Sequence, residues 1–168
     1  MFVVCLNGSI NSGKSTIGRA LAQILPNAEF VEGDDHGIPE GTDFHEMIDR
    51  AIDRLLRFIH QSQQDFLVIS YPLRHEDFVR LQEAARQREA TLFVATLAPP
   101  LDVTLSNRGA RLLSKDERTR IREMYAEGYA DRDFSDIFIT KAESPSVISR
   151  SIAEAVLRKV EREQNPKL

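Results

Sequence analysis

The chain is predicted to be an α/β protein with a parallel sheet covered by helices on both faces. Three observations carry this. Short, almost continuous apolar runs recur along the sequence, as in strands buried on both sides. Stretches of helical periodicity separate them in the order βαβαβαβααβα, which suits parallel pairing through crossovers, each expected to be right-handed. The 168 residues, 42% hydrophobic and 29% charged, suit one domain spanning 1–168, and no repeat, low-complexity stretch or long linker divides it.

The elements follow in order. Phe2–Leu6 reads as a buried strand. Lys14–Leu25 follows as a helix with Ile17, Ala20, Leu21, Ile24 and Leu25 on one face, stopped by Pro26-Asn27. Ala28–Val31 is a short second strand. The helix over Asp43–His60 has a broad apolar stripe (Phe44, Met47, Ile48, Ala51, Ile52, Leu55, Leu56, Ile59), supported by Glu46–Arg50 and Asp53–Arg57 at i,i+4 spacing. Phe66–Ser70 is the third strand, His75–Arg88 a helix, and Thr91–Leu97 the fourth strand, ended by Pro99-Pro100. Leu101–Gly109 and Asp116–Ala130 read as helices around a basic stretch, Ile137–Thr140 as the fifth strand and Ser146–Val160 as the last helix. The polar stretch 161–168 is expected to fray.

Composition excludes several classes. Cys5 is the only cysteine, so no disulfide forms within the chain, and its place in an apolar run makes it a buried strand residue. No apolar run approaches the ~18 residues of a membrane span. The start lacks the basic region and the length of a signal peptide, so a reduced, cytoplasmic setting is expected. A net charge of −4 and a pI near 5.6 argue against bulk nucleic-acid binding.

One motif carries chemistry. Gly8-Ser9-Ile10-Asn11-Ser12-Gly13-Lys14-Ser15 fits G-x-x-x-x-G-K-[ST] at every fixed position, and it leaves a strand and enters a helix as a phosphate-binding P-loop must. The glycines permit a tight loop whose N–H groups face phosphate oxygens, at a helix N-terminus that favours negative charge. Lys14 supplies a point charge for the β- and γ-phosphates, Ser15 a hydroxyl ligand for Mg²⁺, and Thr16 a bond to the α-phosphate.

The second strand ends in Glu32-Gly33-Asp34-Asp35-His36. Ligands of such sheets bind beyond the carboxyl ends of the strands, so a carboxylate here can take a proton from an attacking hydroxyl or hold a metal-bound water. Alternation lets one of Asp34 and Asp35 point at the phosphate, and the residues leave the choice open. His36 is a candidate substrate contact. The third strand closes with Ser70 where a Walker B strand usually carries its acid, so the metal's carboxylate is expected from Asp34 or Asp35. Tyr71 and Arg74 lie at the same sheet edge as candidate substrate contacts. Arg108, Arg111, Lys115, Arg118, Arg120 and Arg122, with only Asp116 and Glu117 among them, give a segment of net +4. Arginine forks suit a lid, about 108–122, that closes on phosphates and excludes water, with Arg108 and Arg111 the favoured contacts. The loop 141–145 is placed to frame an adenine.

These residues resemble the small P-loop kinases. The opening LNGSINSGKST and the late run Tyr125–Phe134 are similar to chloramphenicol phosphotransferase-like proteins, and EGDDH followed by Ser70–Arg74 is similar to gluconate and adenylylsulfate kinases. The resemblance implies ATP with Mg²⁺, a three-layer fold with sheet order 2-3-1-4-5, and an acid after the second strand, Asp34 or Asp35, acting as base toward the acceptor hydroxyl. It names no acceptor. The leading reading is therefore ATP-dependent phosphoryl transfer to a hydroxyl of a small metabolite or antibiotic. A nucleoside or nucleoside-monophosphate kinase is the alternative, and a non-catalytic or regulatory nucleotide-binding protein the alternative of another class. Residues 29–53 carry nine acids against Arg50 alone, a net −8. That points to an acceptor that is neutral or cationic and not itself phosphorylated, provided the helix over Asp43–His60 does not turn those acids to solvent.

Overall fold

The computed structural model describes residues 1–33, 41, 43–109 and 111–165. Its elements are β1 (Phe2–Gly8), α1 (Lys14–Ile24), β2 (Ala28–Glu32), α2 (Phe44–Gln61), β3 (Phe66–Ser70), α3 (His75–Gln87), β4 (Thr91–Leu97), α4 (Leu101–Thr104), α5 (Lys115–Ala126), β5 (Ile137–Ile139) and α6 (Pro145–Gln164). The strands form one five-stranded sheet in the order β2-β3-β1-β4-β5, and every pairing is parallel. The predicted class and strand order both hold.

Strand alternation sorts the core into two layers. Val3 and Cys5 of β1, with Val31, Leu67 and Ile69, pack under Ile52, Leu55 and Ile59 of α2 and Leu81 and Ala85 of α3. Val4 and Leu6, with Val68, Phe93 and Ala95, face the other way, onto Ile17 and Leu21 of α1 and Ile148, Ile152 and Val156 of α6. Each fully buried large aliphatic contributes about 1.5–3 kcal/mol, so the central strands hold the sheet from both faces. Cys5 is fully buried, and burial pushes its thiol up to about 12, which keeps it protonated and inert.

Four local expectations are corrected. The helix predicted over Leu101–Gly109 stops at Thr104. The Thr104 and Ser106 hydroxyls donate to the carbonyls of Leu101 and Val103 (2.8 and 2.7 Å), local bonds that compete with helix continuation. The next helix starts at Lys115, where Ser114 and Glu117 form a capping box. It ends at Ala126 rather than Ala130, because Gly128 turns into the left-handed region at φ 78°. Asp53 pairs with Arg80 of α3 at 2.6 Å rather than along its own helix with Arg57, whereas Glu46–Arg50 forms as expected at 2.7 Å. The end of the chain is helical through Gln164, with Glu163 accepting from the Thr91 hydroxyl at 2.7 Å.

Candidate active site

The loop from β1 to α1 needs backbone conformations that few residues adopt. Gly8 and Gly13 have φ of 140° and 99°, and Asn11 has φ 60°. A Cβ on Gly8 would lie 2.5 Å from the Leu97 carbonyl oxygen, so the first motif glycine is required by close approach as well as by torsion. Lys14 folds back to donate from Nζ to the carbonyls of Gly8 and Ser9 (3.1 and 2.7 Å). Those bonds span the loop and bring its ammonium to the loop's centre. Ser9 is buried and donates to the Ile10 carbonyl at 3.1 Å.

In the first turn of α1, the Ser15 hydroxyl donates to Glu32 Oε1 at 2.8 Å. Glu32 is the last residue of β2. Its other oxygen accepts from Arg19 at 3.2 Å, and its carbonyl accepts from Arg54 at 2.7 Å. Register explains the placement: Glu32 lies beside Ser70, and Ser70 beside Leu6. The carboxylate seen at this edge of the sheet thus comes from β2, the strand next to β3. Sequence reading looked to Asp34 or Asp35 for a metal-side carboxylate and did not single out Glu32, the first acid of EGDDH. Asp34, Asp35 and His36 lie outside the described residues.

Ser15 and Glu32 supply hydroxyl and carboxylate oxygen, the hard donors Mg²⁺ prefers. Among the described residues no group of three or more His, Cys, Asp or Glu side chains could hold a metal alone. Two buried hydroxyls, Ser12 and Ser70, make no hydrogen bond among the described residues.

A cavity of about 820 Å³ opens over the loop, within the size range of small-molecule sites. Ile10, Asn11, Gly13, Lys14, Ser15 and Thr16 form one wall, Tyr71, Pro72 and Arg74 another, and Arg108 and Arg111 overhang it. The structure therefore brings together most of the predicted site. Arg108 donates to the Asn11 carbonyl at 3.2 Å, directly above the loop. Arg111 also faces the cavity but pairs with Glu117 at 2.7 Å. Arg118 instead braces the chain, donating to the Leu105 carbonyl and to Asn107. Arg122 donates to the Arg118 carbonyl at 3.2 Å, and Lys115 is exposed. Arg120 of the basic stretch and Glu143 of the predicted 141–145 loop also line it, as do Met124 and Tyr129, which sequence reading did not single out.

The wall after β3 is held by charge. Arg74 donates to both oxygens of Asp77 at 2.8 Å and pairs with Glu76 at 2.5 Å. Asp77 is fully buried, and its hydrogen bond raises the Arg74 pKa. Arg132 donates to the Leu73 carbonyl at 3.2 Å and lies 4.3 Å from the Tyr129 ring centre; burial raises the Tyr129 pKa. Beneath this wall, buried Asn7 donates to Thr96 (3.0 Å) and to the Tyr129 carbonyl (3.1 Å), and accepts from the Leu73 amide (2.9 Å).

The acids of α2 do not charge the acceptor side, and Asp34, Asp35 and Glu40 lie outside the described residues. Glu46, Asp49 and Asp53 are 53%, 67% and 55% exposed and answer Arg50 and Arg80, because the amphipathic α2 turns its polar face outward.

No protein-family model matches the chain, and no curated protein matches it in sequence. Solved structures do match. A gluconokinase from Sinorhizobium meliloti 1021 superposes with a TM-score of 0.78 at 18% identity, over 99% of this chain and 98% of its own. A shikimate kinase from Acinetobacter baumannii, in complex with shikimate, gives 0.64 at 18%, over 95% and 94%. The APS kinase of Mycobacterium tuberculosis, in complex with AMPPNP and APS, gives 0.64 at 16%, over 92% and 96%. The chain has the three-layer fold of the P-loop kinases, as the resemblance implied.

Proposed function

We propose that this protein is an ATP-dependent kinase that phosphorylates a hydroxyl of a small molecule. The observation that carries the reading is a single cavity lined on its phosphate-loop side by Lys14 and Ser15, the latter bonded to Glu32, with Arg108 over the loop, and elsewhere by a wall of Tyr71, Pro72 and Arg74. One wall suits a triphosphate and the other an acceptor. Mg²⁺ would be held by Ser15 directly and by Glu32 through water, and it would neutralise developing phosphate charge. Lys14 and Arg108 are aimed where the transferred phosphoryl group would sit, so they stabilise its negative charge. In the transfer, the acceptor oxygen bonds to the γ-phosphorus as the bond to the bridging oxygen breaks and ADP leaves. Asp34 or Asp35 takes the hydroxyl proton.

The acceptor reading stands on new ground. Arg74 already faces two carboxylates, Asp77 and Glu76, so the wall after β3 adds little net positive charge. That supports an unphosphorylated acceptor. It also disfavours a nucleoside-monophosphate kinase, as do Arg50, engaged by Glu46, and Arg54, bonded to the Glu32 carbonyl.

The test is calorimetry with Mg–ATP, followed by ATP consumption across a panel of hydroxylated metabolites and antibiotics. Lys14→Ala is expected to lower nucleotide affinity and turnover by about 100-fold or more. A wild-type protein that binds no nucleotide would sink the proposal.

A further inference from the structure

Asn11 occupies one of the open positions of the P-loop motif, where chemistry demands no particular residue. Its side chain nevertheless has a definite job. Nδ2 donates to the carbonyls of Thr104 (2.8 Å) and Ser106 (3.0 Å), so both amide hydrogens go to the chain that leaves α4, more than ninety positions away. Its own carbonyl accepts from Arg108. These three bonds tie one loop residue to the segment that carries Arg108 and to the Arg108 guanidinium itself. The backbone of Asn11 is left-handed at φ 60°, a conformation asparagine tolerates better than other side chains.

The result is visible at Gly13. The Arg108 guanidinium nitrogen NH1 lies 3.9 Å from the point a Cβ on Gly13 would occupy, next to Lys14. Past Arg108 the chain turns on a local bond, the Arg111 amide donating to the Arg108 carbonyl at 3.1 Å, and a Cβ on Gly109 would find no atom of the described residues within 4 Å. On the far side, Arg118 and the Leu113 amide bond to Asn107 (both 3.0 Å). The segment is therefore held at 104–107, and Asn11 supplies the tie on the P-loop side.

We propose that Asn11 is a positioning residue that fixes Arg108 over the phosphate loop. Resting on the kinase reading, this gives an open motif position a role: Asn11 acts through Arg108, whereas the loop's backbone serves the phosphates. A side chain without a paired donor at position 11 would leave Arg108 present but unaimed.

The experiment is a double-mutant cycle on nucleotide affinity, with a second readout that needs no nucleotide. Asn11→Gly keeps the left-handed torsion and removes the amide, and Asn11→Asp keeps size but loses the paired donor. Each, like Arg108→Ala, is expected to weaken Mg–AMPPNP binding about tenfold by calorimetry. Combining Asn11→Gly with Arg108→Ala should weaken it no further than the stronger single change, because one acts through the other. Independent losses that multiply to about 100-fold, or wild-type affinity in Asn11→Gly, would overturn the proposal. In the free protein, Asn11→Gly should raise amide exchange over 105–109 by about tenfold while exchange in β1 and β3 is unchanged. Unchanged exchange at 105–109 would also overturn it. Failure of the wild type to bind Mg–AMPPNP would refute the kinase reading alone, and the exchange measurement would still decide the role of Asn11.

Discussion

The phosphate wall and the wall after β3 line one cavity and hold their polar groups by different means. The phosphate wall is built from main-chain geometry. Gly8, Asn11 and Gly13 take positive φ values, and Lys14 is seated on two carbonyls of its own loop. The wall after β3 is built from side chains. A buried carboxylate, Asp77, grips Arg74, and Arg132 reaches a carbonyl 59 positions away. A wall made of torsions constrains consecutive residues and leaves a motif. A wall made of side-chain contacts leaves no such motif, and it can change its specificity without disturbing phosphate binding.

Four substitutions would break or sharpen this contrast. The largest loss is expected from Gly8→Ala, which combines a strained torsion with a Cβ 2.5 Å from the Leu97 carbonyl oxygen. It should cost about 4 kcal/mol in urea unfolding and abolish nucleotide binding. Arg74→Ala comes next. It strands the buried Asp77 carboxylate, so stability should fall by about 3 kcal/mol, while Mg–ATP affinity stays within about twofold because the phosphate wall is untouched. A large loss of nucleotide affinity here would show that the walls are not separate. Glu32→Gln removes the charge beside Ser15, and the Mg²⁺ concentration for half-maximal nucleotide binding should rise about tenfold. An unchanged Mg²⁺ requirement would return the metal-side role to Asp34 or Asp35. The smallest effect belongs to Ser70→Ala. Its buried hydroxyl makes no hydrogen bond among the described residues, so its removal should change stability by no more than about 0.5 kcal/mol. A greater loss would mean that Ser70 serves the site.

The fold was legible almost entirely. Strands buried on both faces read as unbroken apolar runs, and βα alternation leaves parallel pairing as the natural solution. Misjudged boundaries came where side chains compete with the backbone. Thr104 and Ser106 bond to nearby carbonyls and stop α4, and Gly128 ends α5 early. The terminal stretch looked frayed because its polar pattern does not reveal that Glu163 reaches Thr91.

Within the site, Gly8 to Ser15 could be read directly, because a loop around phosphates restricts neighbouring torsions and so restricts neighbouring residue types. Tyr71, Arg74, Arg108 and Arg111 were reachable as residues at the carboxyl edge of the sheet or in a basic stretch. Tertiary structure alone decided their partners. Strand register put Glu32 beside Ser15, Arg132 reached the Leu73 carbonyl, and the path after α4 brought Thr104 and Ser106 to Asn11. Local torsion and hydrophobic period are properties of neighbouring residues, so the chain states them outright. Which polar group answers which, across 17 to 95 positions, depends on the packing of both layers onto the sheet.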